Sequence, residues 1–457
     1  MELQLDLAAA SREELIDLIY QLLERLQVQE ARIADLEAQL KPAPDALGEQ
    51  KPPSWVKPNR PAAPKKERKK RAHGFARRCD KPTHRVEHAF AQCPDCQVPL
   101  SGGRVSGCRQ VITLPRMAAR VTEHVVLERT CPQCQKRWAP QPDLREVTVG
   151  QQRVGISVQS EVVVLREECR LPFGVVQRYL ERRYRLHLSV GELVALVRGV
   201  AVRGQGEYTQ LQQEIRDSPA VQGDETGWRE NGRNGYLWSF SSPTVRYFLY
   251  RQSRAGAVVE EVLGEEFDGV LGSDFYGAYN VYQGPHQRCW THLLRAIHEL
   301  KERHSQDAAV VAWAEGVHQV YEGAKAYAGP EPRLPATRRQ AQRVKRQQQY
   351  EQELWALCQP YVKTEAPMRV LCQRIERFLP ELFTFVAEPG VPADNNGAER
   401  SLRPPVVSRK ISGGTRSPKG SETKSILASL FGTWRLRGLD PYQAVRRTLT
   451  GPQPAPV

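Results

Sequence analysis

The segment "PAVQGDETGW" at residues 219–228 marks the point where strand patterns replace helical patterns along this chain. It is a short apolar stretch that carries Asp224 near its end. Two strand patterns follow it, then a helical pattern and one more strand pattern: "GYLWSFSS" (235–242), "TVRYFLYRQS" (244–253), "AGAVVEEVLGEEF" (255–267) and "GVLGSDFYGAYN" (269–280). A helical crossover makes the strand after it parallel to its neighbour in the sheet. The order therefore predicts a mixed sheet within a multidomain α+β protein.

Two acidic residues lie near the ends of the predicted strands. Asp224 ends the first apolar stretch, and Asp274 follows the apolar part of the last strand. If these two strands are neighbours in the sheet, their parallel direction brings both carboxylates side by side. Spacing alone is weak evidence for a site, because a chain of this size contains many acidic residues.

A third acidic residue, Glu399, lies within "DNNGAERSLR" at residues 394–403. The segment predicts a loop that closes onto a helix start, with Asp394 or Asn395 as the capping residue. The prolines at 404–405 are expected to end that helix almost at once, because proline cannot donate a backbone hydrogen bond. Two interpretations stay open here: Glu399 is a solvated surface residue, or it points at one defined site.

Length and charge restrict the class of protein. The chain has 457 residues, enough for several domains with a sizeable core. No apolar run approaches the roughly 18–20 residues of a membrane span. Charged residues occupy N-terminal positions where a signal peptide needs an apolar stretch. We therefore expect an intracellular protein.

The N-terminal region predicts an amphipathic helix over residues 11–40. Ser11 and Glu14 form a capping box at its start. The apolar residues then follow a heptad pattern, which Gln29 interrupts at one core position: Leu15, Ile19, Leu22, Leu26, Ile33, Leu36 and Leu40. A coiled coil over residues 1–45 would make the protein a homo-oligomer. The alternative is a helix that packs on its own chain.

The formal net charge of +14 is concentrated in a basic, proline-rich linker over residues 46–88. Within it, residues 57–78 hold ten lysines or arginines and one glutamate. We call residues 57–78 the basic arm. Such a run is either a solvated linker or an arm that binds nucleic acid, because lysine and arginine neutralise phosphates. The candidate DNA-binding residues in it are Lys65, Lys66, Arg68, Lys69, Lys70 and Arg71.

Ten cysteines in an intracellular chain favour metal binding over disulfides. "CPDC" at 93–96 and "CPQC" at 131–134 are two knuckles of the Cys-x-x-Cys type. Two such pairs complete a tetrahedral Zn²⁺ site, so residues 89–140 predict a zinc-binding module. The predicted ligands are Cys93, Cys96, Cys131 and Cys134. The alternatives are a coincidental spacing and a redox dithiol.

Helical patterns flank the predicted sheet on both sides. Residues 141–212 predict helices, one opened by Pro172 and the next by a capping box of Ser189 and Glu192. Whether they form a helix-turn-helix or pack as plain helices stays open. The region from 213 to 415 carries the predicted sheet and a long helical insertion at about 296–392. A basic glycine-containing loop is predicted at 408–421 and overlaps the start of the C-terminal helical segment, assigned to residues 416–457. Gly438 can cap a helix in that segment.

The three acidic residues suit a metal site. Mg²⁺ takes oxygen ligands and keeps several waters. Two such ions roughly 3.5–4 Å apart can activate an attacking oxygen and stabilise a leaving one in phosphodiester chemistry. Clustered carboxylates without metal are costly, because like charges raise one another's pKa.

Several of these segments, in this order, resemble transposases of the insertion-sequence-66 family. The similarity runs through "GDETGW", "GSDFYGAYN", "CWTHLLR" and "DNNGAERSLRPPVVSRK" and extends to "SILASLFGTWRLRGLDPYQAV". The N-terminal helix and the cysteine module also resemble the leading domains of that family. The resemblance implies a bacterial DDE transposase with a ribonuclease-H-like catalytic domain. It implies that Asp224, Asp274 and Glu399 are the catalytic, Mg²⁺- or Mn²⁺-binding carboxylates.

The resemblance also bears on residues around Glu399. Four basic residues there would face DNA phosphates, or else merely balance acidic neighbours: Arg400, Arg403, Arg409 and Lys410. "CWTHLLR" (289–295) departs from the family pattern, which favours basic residues just after the histidine. His292 and Arg295 are expected either to flank the site or to be structural. Cys289 has no second cysteine nearby and is not assigned as a metal ligand.

The resemblance implies strand cleavage at transposon ends and transfer of the resulting 3′-hydroxyl into target DNA. The expected partners are transposon-end and target DNA, with accessory transposition proteins left open. The expected location is the bacterial cytoplasm, in association with the nucleoid. A catalytically inactive, transposase-derived DNA-binding or regulatory protein is the alternative. A serine or tyrosine recombinase would need a covalent nucleophile, and no serine or tyrosine here lies in a suitable pattern.

Overall fold

The computed structural model describes Leu26, Val28, Gln29 and residues 80–115, 117–328 and 336–451. Leu26, Val28 and Gln29 are helical. The rest of the predicted coiled coil and the whole of the basic arm lie outside the described residues. The chain divides into two compact units, Met1–Ile112 and Thr113–Val457.

The two cysteine knuckles have the same local backbone geometry. In the first unit, Cys93 donates its N–H to Val98 and accepts at its carbonyl oxygen from Gln97. In the second unit, Cys131 lies in the turn between the short strands β1 (Arg129–Thr130) and β2 (Arg137–Trp138). It makes the equivalent bonds with Lys136 and Gln135. The residue after the second cysteine of each knuckle has a left-handed backbone conformation, with φ of 60° at Gln97 and 53° at Gln135.

Between residue 117 and the large sheet, the structure describes four helices: α1 (Ile156–Glu167), α2 (Phe173–Tyr184), α3 (Val190–Arg203) and α4 (Gln205–Arg216). Pro172 is the N-cap of α2, as predicted. The predicted capping box at Ser189 and Glu192 is present at the start of α3. Their apolar faces form one core with the sheet, in which Val163, Leu193 and Leu211 are completely buried.

A mixed five-stranded sheet follows, and it confirms the predicted α+β class. Its strands are β3 (Ala220–Glu230), β4 (Arg233–Ser241), β5 (Arg246–Arg251), β6 (Val270–Ser273) and β7 (His286–Arg288). Their order is β5-β4-β3-β6-β7. The first three are antiparallel, and β3, β6 and β7 are parallel. Helix α5 (Ala257–Leu263) makes the predicted crossover into β6.

The region after the sheet is helical, as predicted. It comprises α6 (Trp290–Arg303), α7 (Ala308–Ala328), α8 (Ala336–Cys358), α9 (Arg369–Leu382) and the short α10 (Thr384–Ala387). These helices share a second core around Trp290, Trp313 and Phe383. Because Trp290 begins α6 directly after β7, this second core adjoins the sheet at the ends of β6 and β7.

Helix α11 (Asn396–Ser412) carries Glu399, and its length differs from the prediction. The prolines at 404–405 were expected to end it, but the helix continues through both of them. Two helical hydrogen bonds are lost at these positions. The buried side chains of Ala398, Leu402 and Pro405 hold the helix in place. Leu402 packs in a small core with residues of β3, β4 and β5, so tertiary contacts override the local effect of proline.

The C-terminal region consists of α12 (Pro418–Leu436) and α13 (Pro441–Thr450). The basic segment 408–421 was expected to be a loop, but only residues 413–417 lie between α11 and α12. Gly438 adopts φ of 66° just after α12, in the position predicted for it. Among the helices that the structure describes, none combines the length and apolar character of a membrane span.

Candidate active site

Asp224 and Asp274 are brought together by parallel pairing of their strands. Gln222 of β3 lies opposite Gly272 of β6. Asp274 comes directly after β6, whereas Asp224 lies in the middle of the long strand β3 rather than at its end. The end of the parallel ladder therefore places both residues where β3 and β6 diverge.

Helix α11 begins against the strand that carries Asp224. The buried Asn395 donates its side-chain amide to the carbonyl oxygen of Gly223 at 2.7 Å. The Gln222 side chain donates to the carbonyl oxygen of Asp394. A Cβ atom on Gly397 would lie 1.9 Å from the Gln222 Oε1 atom, so a larger residue at this position would displace the end of the Gln222 side chain. These contacts carry Glu399, in the first turn of α11, to the same region.

The two predicted capping residues, Asp394 and Asn395, have different roles at the start of α11. The Asp394 carboxylate accepts from the backbone N–H of Asn396 at 3.0 Å, at the helix start. Asn395 occupies the N-cap position but makes no side-chain capping bond. Its side chain is used instead to fix the helix to β3. "DNNG" is thus a docking segment as well as a helix start.

The pKa of Asp224 reflects its burial and the charges of its acidic neighbours. Burial, together with the negative charges of Glu225, Asp274 and Glu399, raises the pKa of Asp224 to about 7. The backbone N–H of Glu225 donates to Asp224 Oδ1 at 2.9 Å and opposes this rise. Asp274 and Glu399 therefore act on the charge of Asp224, although the ligand oxygens of the three carboxylates do not all lie within 4.8 Å of one another. Such a cluster favours a bound cation or a bound proton.

Glu225 is an acidic residue of this region that the sequence prediction did not single out. Its side chain is only 3% exposed and pairs with Arg254, whose Nε donates to it at 2.8 Å. The hydroxyl of the buried Tyr279 donates to the second carboxylate oxygen at 2.6 Å. Arg254 also lies over the Tyr276 ring, 3.8 Å from its centre. Glu225 therefore has both of its oxygens engaged, unlike a free metal ligand.

Arg288 is a second residue that the sequence prediction missed. Its side chain is only 1% exposed. It donates to the Asp274 carbonyl oxygen at 3.0 Å, to Asn280 Oδ1 at 2.7 Å and to Glu381 Oε2 at 2.5 Å. Burial lowers the pKa of Arg288, and the Glu381 carboxylate works against that shift. The backbone after β6 is thus held by an ion pair that spans the sheet and α9.

His292 lies beside Glu399, with its Nδ1 atom 3.8 Å from the Glu399 Oε1 atom. Cys289, one helical turn earlier, completes a group in which the ligand atoms all lie within 4.8 Å of one another. Among the described residues this is the only group of three potential ligands that meets the distance. The backbone N–H of Asn395 donates to Cys289 Sγ at 3.1 Å, and burial raises the pKa of the thiol. Arg295, further along α6, is exposed.

The basic residues predicted to bind phosphates have different surroundings. Arg409 donates to Thr226 Oγ1 at 3.0 Å and also bonds the carbonyl oxygen of Gly227, so it is part of the contact between α11 and β3. Arg400, Arg403 and Lys410 are exposed on α11. The three exposed residues are free to meet a ligand, whereas Arg409 would have to exchange existing contacts.

The comparisons with known proteins identify the family. The family described as "Transposase IS66 family" matches residues 151–423, which is more than half of the chain. That range begins just before α1, includes the whole sheet and all three acidic residues, and ends within α12. The chain belongs to the IS66 transposase family, as the sequence resemblance predicted.

Two curated relatives come from Sinorhizobium fredii (strain NBRC 101917 / NGR234). The uncharacterized protein y4qI is 27% identical over 241 residues, which cover 47% of this chain and 43% of that protein. The uncharacterized protein y4jO is 29% identical over 194 residues, which cover 42% of this chain and 56% of that protein. The chain thus spans about half the length of each curated relative.

Proposed function

We propose that this chain is a DDE transposase that cleaves DNA at the ends of its element and transfers the resulting 3′-hydroxyl into target DNA. The observation that carries the proposal is geometric: parallel pairing of β3 with β6 brings Asp224 near Asp274, and the bond from Asn395 to Gly223 fixes the helix of Glu399 to the same strand. Membership of the IS66 transposase family supports the reaction class. The sheet, with three antiparallel strands followed by two parallel ones, supports a ribonuclease-H-like catalytic domain.

The residues of the site fit hard divalent cations such as Mg²⁺ or Mn²⁺. All three proposed ligands are carboxylates, the donor type that these ions prefer. Burial first, and nearby negative charges second, raise the pKa of Asp224 to about 7, and a bound cation would offset both effects. A bound pair of ions would supply charge stabilisation for the attacking and leaving oxygens of a phosphodiester.

The proposed reaction has two displacements. A water oxygen attacks the phosphorus at the element end, the bond to the 3′ oxygen breaks, and a 3′-hydroxyl and a 5′-phosphate result. That hydroxyl then attacks a target phosphodiester, so one P–O bond forms as another breaks. No covalent protein–DNA intermediate is required.

The protein's own residues have positioning roles in this scheme. Asn395 and Gln222 fix the start of α11, and with it Glu399, against β3. Arg288 fixes the backbone at Asp274. The exposed Arg400, Arg403 and Lys410 would meet phosphates of DNA that lies along α11. Fixed carboxylates lower the cost of reorganisation during the reaction, which is the usual source of electrostatic catalysis.

The other regions would supply DNA binding and assembly. We assign non-specific DNA affinity to the basic arm, because affinity for DNA rests mainly on contacts between cationic side chains and phosphates. The N-terminal coiled coil would pair subunits so that two transposon ends can be held together. The cysteine module would be a zinc-stabilised domain beside this arm. Association with the nucleoid would follow from DNA binding.

The decisive experiment separates catalysis from binding. Glu399→Gln keeps the shape of the side chain but removes its charge, so cleavage of DNA carrying the element's ends should fall by orders of magnitude while DNA binding persists. Changing Lys65, Lys66, Lys69 and Lys70 together to alanine should weaken binding and flatten its salt dependence. Each variant is measured for both Mg²⁺-dependent cleavage and DNA affinity. Normal cleavage by Glu399→Gln would show that Glu399 is a solvated surface residue outside the catalytic site. No cleavage by the unmodified protein would favour the inactive DNA-binding or regulatory protein.

A further inference from the structure

Cys289, His292 and Glu399 form a compact group next to the proposed Mg²⁺ site. Cys289 is the N-cap residue of α6, and His292 lies one turn further along the same helix. This spacing of three residues puts both side chains on one face of the helix. Glu399 reaches the same point from the first turn of α11. The three ligand atoms lie within 4.8 Å of one another.

Two of these ligand atoms have no hydrogen-bond partner among the described residues. They are His292 Nδ1 and Glu399 Oε1, and both atoms are inaccessible to solvent. They face each other at 3.8 Å, which is too far for a hydrogen bond. A buried polar atom without a partner is costly, so an unpaired nitrogen and an unpaired oxygen that face each other indicate a missing ligand.

The donor set differs in chemical character from the neighbouring carboxylates. Thiolate and imidazole are soft or borderline ligands that select Zn²⁺, Co²⁺ and similar ions over Mg²⁺. Zinc bonds of about 2.0–2.3 Å place tetrahedral ligand atoms roughly 3.4–3.7 Å apart. The separation of 3.8 Å between His292 and Glu399 is close to that value. The group therefore needs only small side-chain adjustments to surround such an ion.

We propose that Cys289, His292 and Glu399 form a second metal site, selective for Zn²⁺-like ions and leaving one coordination position open. Glu399 is shared with the Mg²⁺ site of the proposed function. A soft metal held by Cys289 and His292 would withdraw the Glu399 carboxylate from Mg²⁺. Zinc would then inhibit DNA cleavage, a consequence that rests on the proposed function, whereas metal binding does not.

Cobalt binding tests the site without any activity measurement. The full-length protein is titrated with Co²⁺, and thiolate coordination is followed by its charge-transfer absorption. We expect Cys289→Ser to lose the absorption that corresponds to one equivalent of Co²⁺. His292→Ala should bind that equivalent at least tenfold more weakly. Cys96→Ser is the matched control, since it should affect only cobalt that enters the predicted cysteine module. Circular dichroism checks that each variant is folded, and whichever of Cys289→Ser and His292→Ala is folded decides the test.

The outcomes distinguish this inference from the proposed function. Cobalt absorption that is unchanged in both Cys289→Ser and His292→Ala would overturn the second metal site, whatever the protein does to DNA. Asp224→Asn should abolish Mg²⁺-dependent cleavage yet keep the cobalt absorption at Cys289. Zinc inhibition is then expressed relative to each variant's own zinc-free rate and should need at least tenfold more Zn²⁺ in His292→Ala. Equal zinc sensitivity in wild type and His292→Ala would refute the competition for Glu399.

Discussion

The side-chain amide of Asn395 donates to the carbonyl oxygen of Gly223 at 2.7 Å, and this bond joins the helix that carries Glu399 to the strand that carries Asp224. The two partners are 172 residues apart in sequence. One residue beyond Gly223 lies Asp224, and four residues beyond Asn395 lies Glu399. The geometry of the candidate site therefore depends on a neutral hydrogen bond that neither carboxylate makes.

Asn395→Ala should weaken both stability and cleavage. It leaves the Gly223 carbonyl oxygen without its partner in a buried place, which costs about 1–3 kcal/mol. It also releases the start of α11, so Glu399 is less well positioned. Thermal unfolding and Mg²⁺-dependent cleavage are compared with those of Asn396→Ala, whose side chain makes no hydrogen bond among the described residues. If both alanine variants behave alike, the bond from Asn395 does not position α11.

Gly397→Ala should disrupt the same contact for a steric reason. The added methyl group would meet Gln222 Oε1 at 1.9 Å and push that side chain away from the Asp394 carbonyl oxygen. Because the displaced atom ends a flexible side chain, Gln222→Ala should relieve the clash. We expect Gly397→Ala to lower the unfolding midpoint in the wild-type background and to have a clearly smaller effect in Gln222→Ala. Additive effects of the two substitutions would show that the contact is unimportant.

Local patterns were sufficient to predict much of the fold. The helical crossover before β6 predicted its parallel pairing, and the strand order in the sheet agrees with it. The capping box at Ser189 and Glu192 predicted the start of α3. These features depend on residues close together in sequence, where backbone hydrogen bonding and steric rules act directly.

Features that depend on distant contacts were not predictable in this way. The continuation of α11 through the prolines at 404–405 depends on its packing against the sheet. The role of Arg288 depends on Glu381, which is 93 residues away. Cys289 looked isolated in the sequence because its neighbours in space are a histidine and a glutamate. The Cys-x-x-His spacing was the one local signal that could have identified it.

Asp224 should make the stability of the metal-free protein depend on pH. The pKa of Asp224 is about 7 in the folded state, against 3.8 for an ordinary aspartate. The folded state therefore binds the proton more tightly than the unfolded state, and stability is lost as pH rises from about 4 to about 7. Each pKa unit corresponds to about 1.4 kcal/mol, so the total effect is at most a few kcal/mol.

Asp224→Asn isolates this effect. In magnesium-free buffer we expect the variant to exceed the wild type in unfolding midpoint at pH 8, with a smaller difference at pH 4.5. Adding Mg²⁺ should stabilise the wild type at pH 8 and leave Asp224→Asn nearly unchanged. A difference between the two proteins that is the same at both pH values would contradict the raised pKa.

Arg288→Met should be among the most destabilising single substitutions in the chain. It leaves the Glu381 carboxylate, the Asn280 amide oxygen and the Asp274 carbonyl oxygen without their common donor. Removal of one partner from a buried ion pair typically costs about 3–5 kcal/mol, and we expect a loss near the lower figure because the Glu381 side chain is 31% exposed. Arg295→Met, at an exposed position on α6, is the matched control and should change stability by less than about 0.5 kcal/mol. Chemical unfolding of the two variants measures the difference, and similar losses would mean that Arg288 is not needed to hold Asp274.

The four knuckle cysteines should bind one Zn²⁺ that is distinct from any ion at Cys289. Each knuckle has its own backbone turn of the same kind. In each turn, backbone N–H groups lower the pKa of the first cysteine: the N–H of Cys96 contributes most at Cys93, and the N–H of Cys134 contributes most at Cys131. Lower thiol pKa values favour the thiolate that zinc requires. Cys96→Ser and Cys134→Ser should each lose this zinc and unfold the module, because much of the binding free energy of structural zinc is folding free energy.

Metal analysis of freshly purified protein and limited proteolysis test this, with Cys108→Ser as a control that should retain the zinc. Absence of zinc from the unmodified protein would exclude the four-cysteine site, and loss of zinc in only one knuckle variant would mean that the two knuckles do not share an ion.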